Sequence, residues 1–232
     1  MVKALSRQAP SRRYMKHGAA AVMSPDKRHL FLLRRLGEVN ERYFKGKRVR
    51  LLDVGCADGG FLRLVAERLP DILEADGVDA PIKWLRPDAL KDVGRLYVQY
   101  LQEGTGDIPL GAYNIITLWE VIEHVENVYS FLRNLKKLLA PGGVLLVTTP
   151  NLMSLSRLVK GSGWVGVAEE DHKYLFDGLS LTMVLSNCGF SRISISSYLL
   201  PNAGSSLDFV NRVLSPLPLG GMLFAEAFKE RP

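Results

Sequence analysis

Apolar positions recur along this chain at two spacings, and the alternation between them sketches a fold. Leu30, Phe31, Leu33 and Leu36 form a stripe at helical spacing. They predict a helix reaching about Phe44, with Ser24 as its N-cap and Pro25 at the first helical position. The stretch "VRLLDV" (49–54) is almost wholly apolar, the pattern of a short strand covered on both faces. A helix follows over "FLRLVAERL" (61–69), then strands over "LEADGVD" (73–79), "LYVQYL" (96–101) and "YNIITLW" (113–119). The amphipathic "NVYSFLRNLKKLLA" (127–140) predicts a helix stopped by "PGG", and "GVLLVTT" (143–149) a fifth strand. A helix over "LSLTMVLSNC" (179–188) closes at Gly189, in the C′ position that favours glycine. "SRISISSYL" (191–199) and "GMLFAEAFK" (221–229) finish as two strands. Strands alternating with helices predict an α/β architecture, an open and mostly parallel sheet of seven strands.

Composition narrows the class. The 232 residues suffice for one buried core, and 47% of them are hydrophobic. The expected organisation is a basic N-terminal arm over 1–24 and a single domain over 25–232. No apolar run approaches a membrane span, and the basic start is not followed by a secretory hydrophobic region. Cys56 and Cys188 form no paired spacing, which argues against a disulfide framework or thiolate zinc site and fits a reducing cytoplasm. The net charge of +6 is uneven: residues 1–50 hold 14 Lys and Arg against 3 acids, the rest 16 against 21. That asymmetry suits an anionic partner such as nucleic acid or an acidic membrane surface, and equally a solvated helix face beside a loose terminus.

Candidate chemistry begins at "DVGCADGG" (53–60), where the first strand runs into the next helix. Ligands of open α/β sheets lie outside the carboxyl ends of the strands, beside the first one. Gly55 and Gly59 permit a sharp turn and a close backbone approach, and Asp53 is placed to bond a ligand cation or to order the loop. Asp79, 26 residues further on, ends the second strand with a carboxylate able to hold both hydroxyls of a ribose. A dinucleotide fingerprint would place glycine at 57, where this chain has Ala57. A cofactor without pyrophosphate has no need of that approach.

With these residues the chain resembles the class I S-adenosylmethionine-dependent methyltransferases. "LLDVGCADGGF" resembles their first motif, "GVD" their ribose-binding strand end, and "LWEVIEHV" with "LLAPGGVLLVTTPN" their fourth and fifth strands. The resemblance covers roughly residues 47–190. It implies a Rossmann-like fold with helices on both faces and the last strand antiparallel, and S-adenosylmethionine as cofactor. The implied cofactor contacts are Asp53, Gly55, Cys56, Ala57, Gly59, Asp79, Ala80, Gln102, Trp119 and Glu120. The chain departs from the family at Tyr113-Asn114, where "FD" is usual, and after the third strand, where Gln102, Glu103 or Asp107 stands in for an adenine-binding aspartate.

Methyl transfer from a sulfonium needs alignment, and a hydroxyl or ammonium acceptor must also lose a proton. If "LWEVIEHVEN" turns helically after Trp119, then Glu120, Glu123 and His124 share one face. With His172 of "EEDHKYLF" they form a candidate site for a divalent ion such as Mg²⁺, and Glu120, His124 and His172 are the candidate catalytic groups. The same carboxylates suit a helix N-terminus without any catalytic role. "EVIEH…DHK" resembles the metal-dependent small-RNA terminal ribose methyltransferases, and "EVIEHV" the ubiquinone-pathway catechol O-methyltransferases. The expected acceptor is a hydroxyl of a small or lipid-like molecule, with RNA as the alternative. A non-catalytic cofactor-binding protein and a nucleotide-dependent oxidoreductase are the readings of other classes. Trp164 in "GSGWVG" fits either a lid or a tucked-in side chain, and the apolar 200–220 stretch a pocket wall or the contact of a homodimer; a monomer is the other expectation.

Overall fold

A computed structural model describes residues 27–81, 85, 88, 90–168, 171–198 and 219–231. The arm over 1–24, the cap at Ser24-Pro25 and nearly all of the 200–220 stretch lie outside the described residues. The elements in chain order are α1 (Lys27–Phe44), β1 (Val49–Val54), α2 (Gly60–Arg68), β2 (Ile72–Asp79), β3 (Leu96–Val98), β4 (Tyr113–Trp119), α3 (Val128–Leu138) and β5 (Leu139–Pro150). There follow α4 (Leu155–Lys160), a 3₁₀ turn (Gly161–Gly163), α5 (Val165–Ala168), α6 (Gly178–Asn187), β6 (Ser191–Tyr198) and β7 (Met222–Phe228).

The strands form one sheet in the order β3-β2-β1-β4-β5-β7-β6. Neighbours from β3 to β5 are parallel, and β7 alone runs antiparallel, pairing with both β5 and β6. The open sheet expected from the sequence is therefore present, with its strand order reversing between β1 and β4. That reversal leaves a crevice at their carboxyl ends. One core packs α3 and α6 on Leu52, Ile116, Leu145 and Ala225, and the other packs α1 and α2 on Leu51, Ile115, Leu146 and Phe224. Burial on both faces explains why β1 and β4 read as continuous apolar runs.

Glu226, 4% exposed in β7, orients α1 on the sheet. Its carboxylate meets Arg35 at 3.6 Å and Arg42 at 3.5 Å and accepts a hydrogen bond from Tyr43 Oη at 3.2 Å. Arg35 also lies 4.5 Å over the Phe224 ring. A charge this deep is tolerated because several donors converge on it. At the amino end of the sheet, Asn114 Oδ1 accepts the Arg50 N–H at 2.9 Å, and Tyr113 Oη donates to Asp76 Oδ2 at 2.8 Å. Tyr113-Asn114 thus ties β4 to β1 and β2.

Four elements differ from expectation. β3 stops at Val98 because α3 takes the next carbonyls: Asn134 Nδ2 donates to Leu101 O at 2.8 Å and Ser130 Oγ to Gln102 O at 2.7 Å. β5 starts at Leu139, absorbing the "PGG" turn through a register shift against β4. The short helices α4 and α5 fill a stretch too brief to show helical periodicity, with Ser154 capping α4 through Arg157 N–H at 3.2 Å. Among the described residues no helix is long and apolar enough to cross a membrane.

Candidate active site

The chain leaves β1 through a loop held mainly by its own backbone. Gly55, Ala57 and Gly59 all take left-handed conformations, with φ of 79°, 48° and 74°. A β-carbon at Gly55 would stand 2.5 Å from Val121 Cγ2, so glycine is required there by space as well as by conformation. Ala57 adopts a glycine-type conformation at a cost of about 1 kcal/mol. Its N–H donates to Asp79 Oδ2 at 2.8 Å, and the Ala80 N–H donates to Asp79 Oδ1 at 2.7 Å. These bonds lash the loop to the end of β2, and each carboxylate oxygen keeps a lone pair for a further donor. Burial raises the Asp79 pKa, while the two amides draw it back.

Asp53 lies beneath the loop, 3% exposed, and accepts a 2.6 Å bond from Thr117 Oγ1 of β4. Burial pushes its carboxyl up to about 7, the Thr117 bond opposes that rise, and the charge of Asp79 adds to it. Cys56 is also buried, its thiol packed so closely on β2 that a β-carbon at Gly77 would meet Sγ at 2.6 Å. Burial pushes that thiol far up, so Cys56 offers the loop its backbone and not a reactive sulfur.

Beyond Trp119 the expected helix does not form. Glu120 has φ 56°, which reverses the chain, and a turn closes with His124 N–H on Val121 O at 3.0 Å. Glu120 therefore faces α1, where Arg28 Nη1 meets its Oε2 at 3.0 Å, and it lies apart from the histidines. This corrects the expectation that Glu120, Glu123 and His124 share one face with Glu120 as a metal ligand.

The other three candidates do converge. One ligand atom from each of Glu123, His124 and His172 lies within 4.8 Å of the others. Glu123, 1% exposed, accepts from Thr149 Oγ1 of β5 at 3.1 Å. Its carbonyl accepts Lys173 N–H at 2.7 Å and Tyr174 N–H at 3.1 Å, which brings the "DHK" stretch against the turn. The two imidazoles sit 4.7 Å apart at 63°. His124 Nδ1 faces Asp171 O at 3.3 Å, and His172 Nδ1 faces Gly166 O at 3.0 Å. A backbone carbonyl only accepts, so both contacts call for a proton on Nδ1. Two imidazole nitrogens and a carboxylate suit a borderline divalent ion such as Zn²⁺ better than Mg²⁺, which prefers oxygen ligands.

Trp119 is half-buried at the crevice, edge-on to Phe61 at 5.7 Å and stacked on Phe224 at 6.4 Å. Gln102 Oε1 accepts the Glu126 N–H at 2.8 Å, so this side chain helps set the entry to α3. Trp164 is 2% exposed, a tucked-in side chain and not an exposed lid. Between α1 and the carboxyl edge lies a narrow cleft of about 30 Å³ whose lining includes Arg28, Phe31, Glu120, Thr148 and Tyr198. Sequence reasoning passed over Thr117, Thr149, Asp171 and Arg28, because each acts on a residue far from it in the chain.

Comparison with known proteins agrees with this geometry. A family model described as a methyltransferase domain matches residues 15–195, more than three quarters of the chain. Ubiquinone biosynthesis O-methyltransferase from Pectobacterium atrosepticum is 34% identical over 120 residues, covering 50% of this chain and 49% of the relative. The protein of the same name from Aliivibrio fischeri (strain ATCC 700601 / ES114) is 33% identical over 107 residues, covering 46% and 45%. The chain thus spans about half the length of these relatives. A SAM-dependent methyltransferase from Archaeoglobus fulgidus superposes with a TM-score of 0.59 at 21% identity, over 87% of this chain and 94% of that one. An S-adenosylmethionine-dependent methyltransferase from Mesorhizobium loti gives 0.59 at 18%, over 87% and 97%. The latter two likenesses concern the fold. Loop, paired carboxylates, strand order and family model agree, and the chain belongs to the class I S-adenosylmethionine-dependent methyltransferases.

Proposed function

We propose that this protein transfers the methyl group of S-adenosylmethionine to a hydroxyl of a small or lipid-like molecule. The observation that carries the hydroxyl acceptor is the Glu123–His124–His172 cluster at the carboxyl edge, on the turn whose Val121 packs against Gly55 of the cofactor loop. The names of the relatives, O-methyltransferases of ubiquinone biosynthesis, support the same acceptor chemistry.

The residues present fit the cofactor. Asp79 is a half-buried carboxylate with lone pairs to spare, suited to the ribose hydroxyls, and the loop at Gly55–Gly59 offers close backbone without the glycine that a pyrophosphate asks for. Trp119 supplies an apolar wall. When bound, the cofactor supplies an electrophilic methyl group on a sulfonium. The imidazoles of His124 and His172 are the groups placed to take up the acceptor proton. Glu123, His124 and His172 are also the residues that would hold a divalent ion, which would lower the pKa of a hydroxyl placed against it.

Release of S-adenosylhomocysteine, measured with a catechol, an arylamine and a short RNA as acceptors, tests this reading. Turnover of the catechol is expected, and its loss in chelator with recovery on adding Zn²⁺ or Mn²⁺ would assign a metal role. Turnover of the amine alone would overturn it. Turnover of RNA alone would favour the second reading, a ribose methyltransferase, for which the exposed Arg34, Arg42, Lys45, Lys47 and Arg48 offer phosphate contacts.

A further inference from the structure

At the opposite edge of the sheet, an open cleft of about 460 Å³ is lined by Gly142, Arg192, Lys229, Glu230 and Arg231. We propose that this cleft is a binding site for a compact phosphate-bearing anion, separate from the site of methyl transfer.

Several cations elsewhere in the fold are paired with carboxylates. Arg28 meets Glu120, Arg35 and Arg42 meet Glu226, and Arg50 meets Glu74. Among the described residues none supplies a carboxylate within ion-pair distance of Arg192, Lys229 or Arg231. Lys136 brings a fourth cation, and its charge adds to burial in lowering the Lys229 pKa. Like charges held together in a concave site repel one another, and an anion relieves that repulsion.

Two of the three cations are held by specific contacts, and the third lies across a glycine. Arg192 has φ 45° at a break in register between β6 and β7, and a bulge of this kind re-aims a side chain. Its guanidinium lies 4.1 Å over the Phe228 ring, which is braced edge-on by Tyr43 at 4.9 Å. Lys229 Nζ donates to Leu139 O at 2.6 Å. Arg231 lies across Gly142, where φ is 76° and a β-carbon would meet Arg231 Nε at 2.8 Å. A side chain at 142 would displace that guanidinium. Fixed cations around a concave volume of this size favour a small phosphorylated ligand, since little ordering remains to be done on binding. Two guanidinium groups match phosphate oxygens in geometry as well as charge.

Calorimetric titration of the full chain with inorganic pyrophosphate, in about 150 mM salt to screen diffuse attraction, tests the site. Saturable binding is expected, weakened about tenfold or more in Arg192→Gln/Arg231→Gln. S-adenosylhomocysteine affinity should not change in that variant. Arg231→Gln alone, at an exposed position, gives a milder form of the same loss if the double variant folds poorly. Sedimentation with phosphatidic acid vesicles, against phosphatidylcholine, distinguishes the source: capture by the former that is lost in the variant assigns a lipid headgroup, and binding of pyrophosphate alone a soluble phosphate. Absence of both, binding unchanged in the variants, or binding of an RNA oligomer without pyrophosphate would each overturn the proposal. The outcome does not depend on the acceptor of methyl transfer.

Discussion

The loop after β1 and the turn after β4 lie side by side at the carboxyl edge, and both carry a non-glycine residue in the left-handed region, Ala57 and Glu120. Their partners come from different distances. The Asp79 carboxylate holds the Ala57 and Ala80 amides, and Gly55 N–H bonds Val78 O, all within a single βαβ unit. Around the turn, Glu120 meets Arg28 from 92 residues away, His124 faces Asp171 from 47 residues away, and Glu123 takes its bond from Thr149 on the next strand. The amide clamp at Asp79 is a local device that one supersecondary unit completes, although Asp53 bonds Thr117 and Gly55 packs against Val121, both from the β4 side. The side proposed to carry the chemistry exists only once the whole sheet and the α4–α5 segment have assembled.

If the two sides divide the work in this way, variants should separate them. His124→Ala is expected to lower kcat by about 10²–10⁴, the usual worth of a positioned acid or base. Its affinity for S-adenosylhomocysteine by calorimetry should stay near native. Asp79→Asn reverses the pattern. It removes a charged acceptor and places an amide NH₂ against a backbone N–H, so cofactor affinity should fall by about tenfold to a hundredfold. With saturating cofactor, kcat should largely recover. A loss of cofactor affinity in His124→Ala as large as that in Asp79→Asn would break the division.

The same contrast governs what could be read from the chain. Strands β1 and β4 stand where their apolar runs place them, and Gly189 closes α6 with φ 80° as its position past a periodic segment implies. Ala57 and Asp79 were legible because each owes its place to neighbours within the same unit. Glu120 was misplaced because i, i+3 spacing presumes a helix, and nothing local announces that a glutamate will take φ 56°. His124 and His172 could be suspected as a pair, but the tautomer each ring takes depends on the carbonyls of Asp171 and Gly166. The cations at Arg192, Lys229 and Arg231 gave no signal in sequence, since only the antiparallel pairing of β6 and β7 gathers them.

Asp53, bonded to Thr117 of β4, offers a pH-dependent test of the cofactor side. Its folded carboxyl is raised from 3.8 to about 7, first by burial and further by the Asp79 charge, with the Thr117 bond opposing. An acid whose pKa rises on folding binds more protons in the folded state across that window. Its contribution to stability is therefore complete below the unfolded value and declines as pH climbs from 3.8 to about 7. Asp53→Asn should flatten that part of the profile in urea titrations at stepped pH while keeping the bond to Thr117. An unchanged slope would mean that Asp53 is charged in the fold and that a cation outside the loop compensates it.

The smallest expected effects compare the two left-handed residues directly. Ala57→Gly relieves backbone strain of about 1 kcal/mol, and the freer unfolded chain takes back about 0.4–1 kcal/mol. The net change should be a stabilisation of at most about 0.6 kcal/mol, because the Ala57 amide still reaches Asp79. Glu120→Gly has the same two backbone terms but also deletes the ion pair with Arg28. Both side chains of that pair are more than a third exposed, so its worth is at most about 1 kcal/mol. Urea denaturation of both variants, with Arg28→Ala and the double variant closing a cycle, isolates the pair from the strain. A coupling near zero would leave the backbone of Glu120 strained with no compensation from α1. The conformation would then be held by the β4 turn itself, and the two sides of the crevice would be alike in that respect after all.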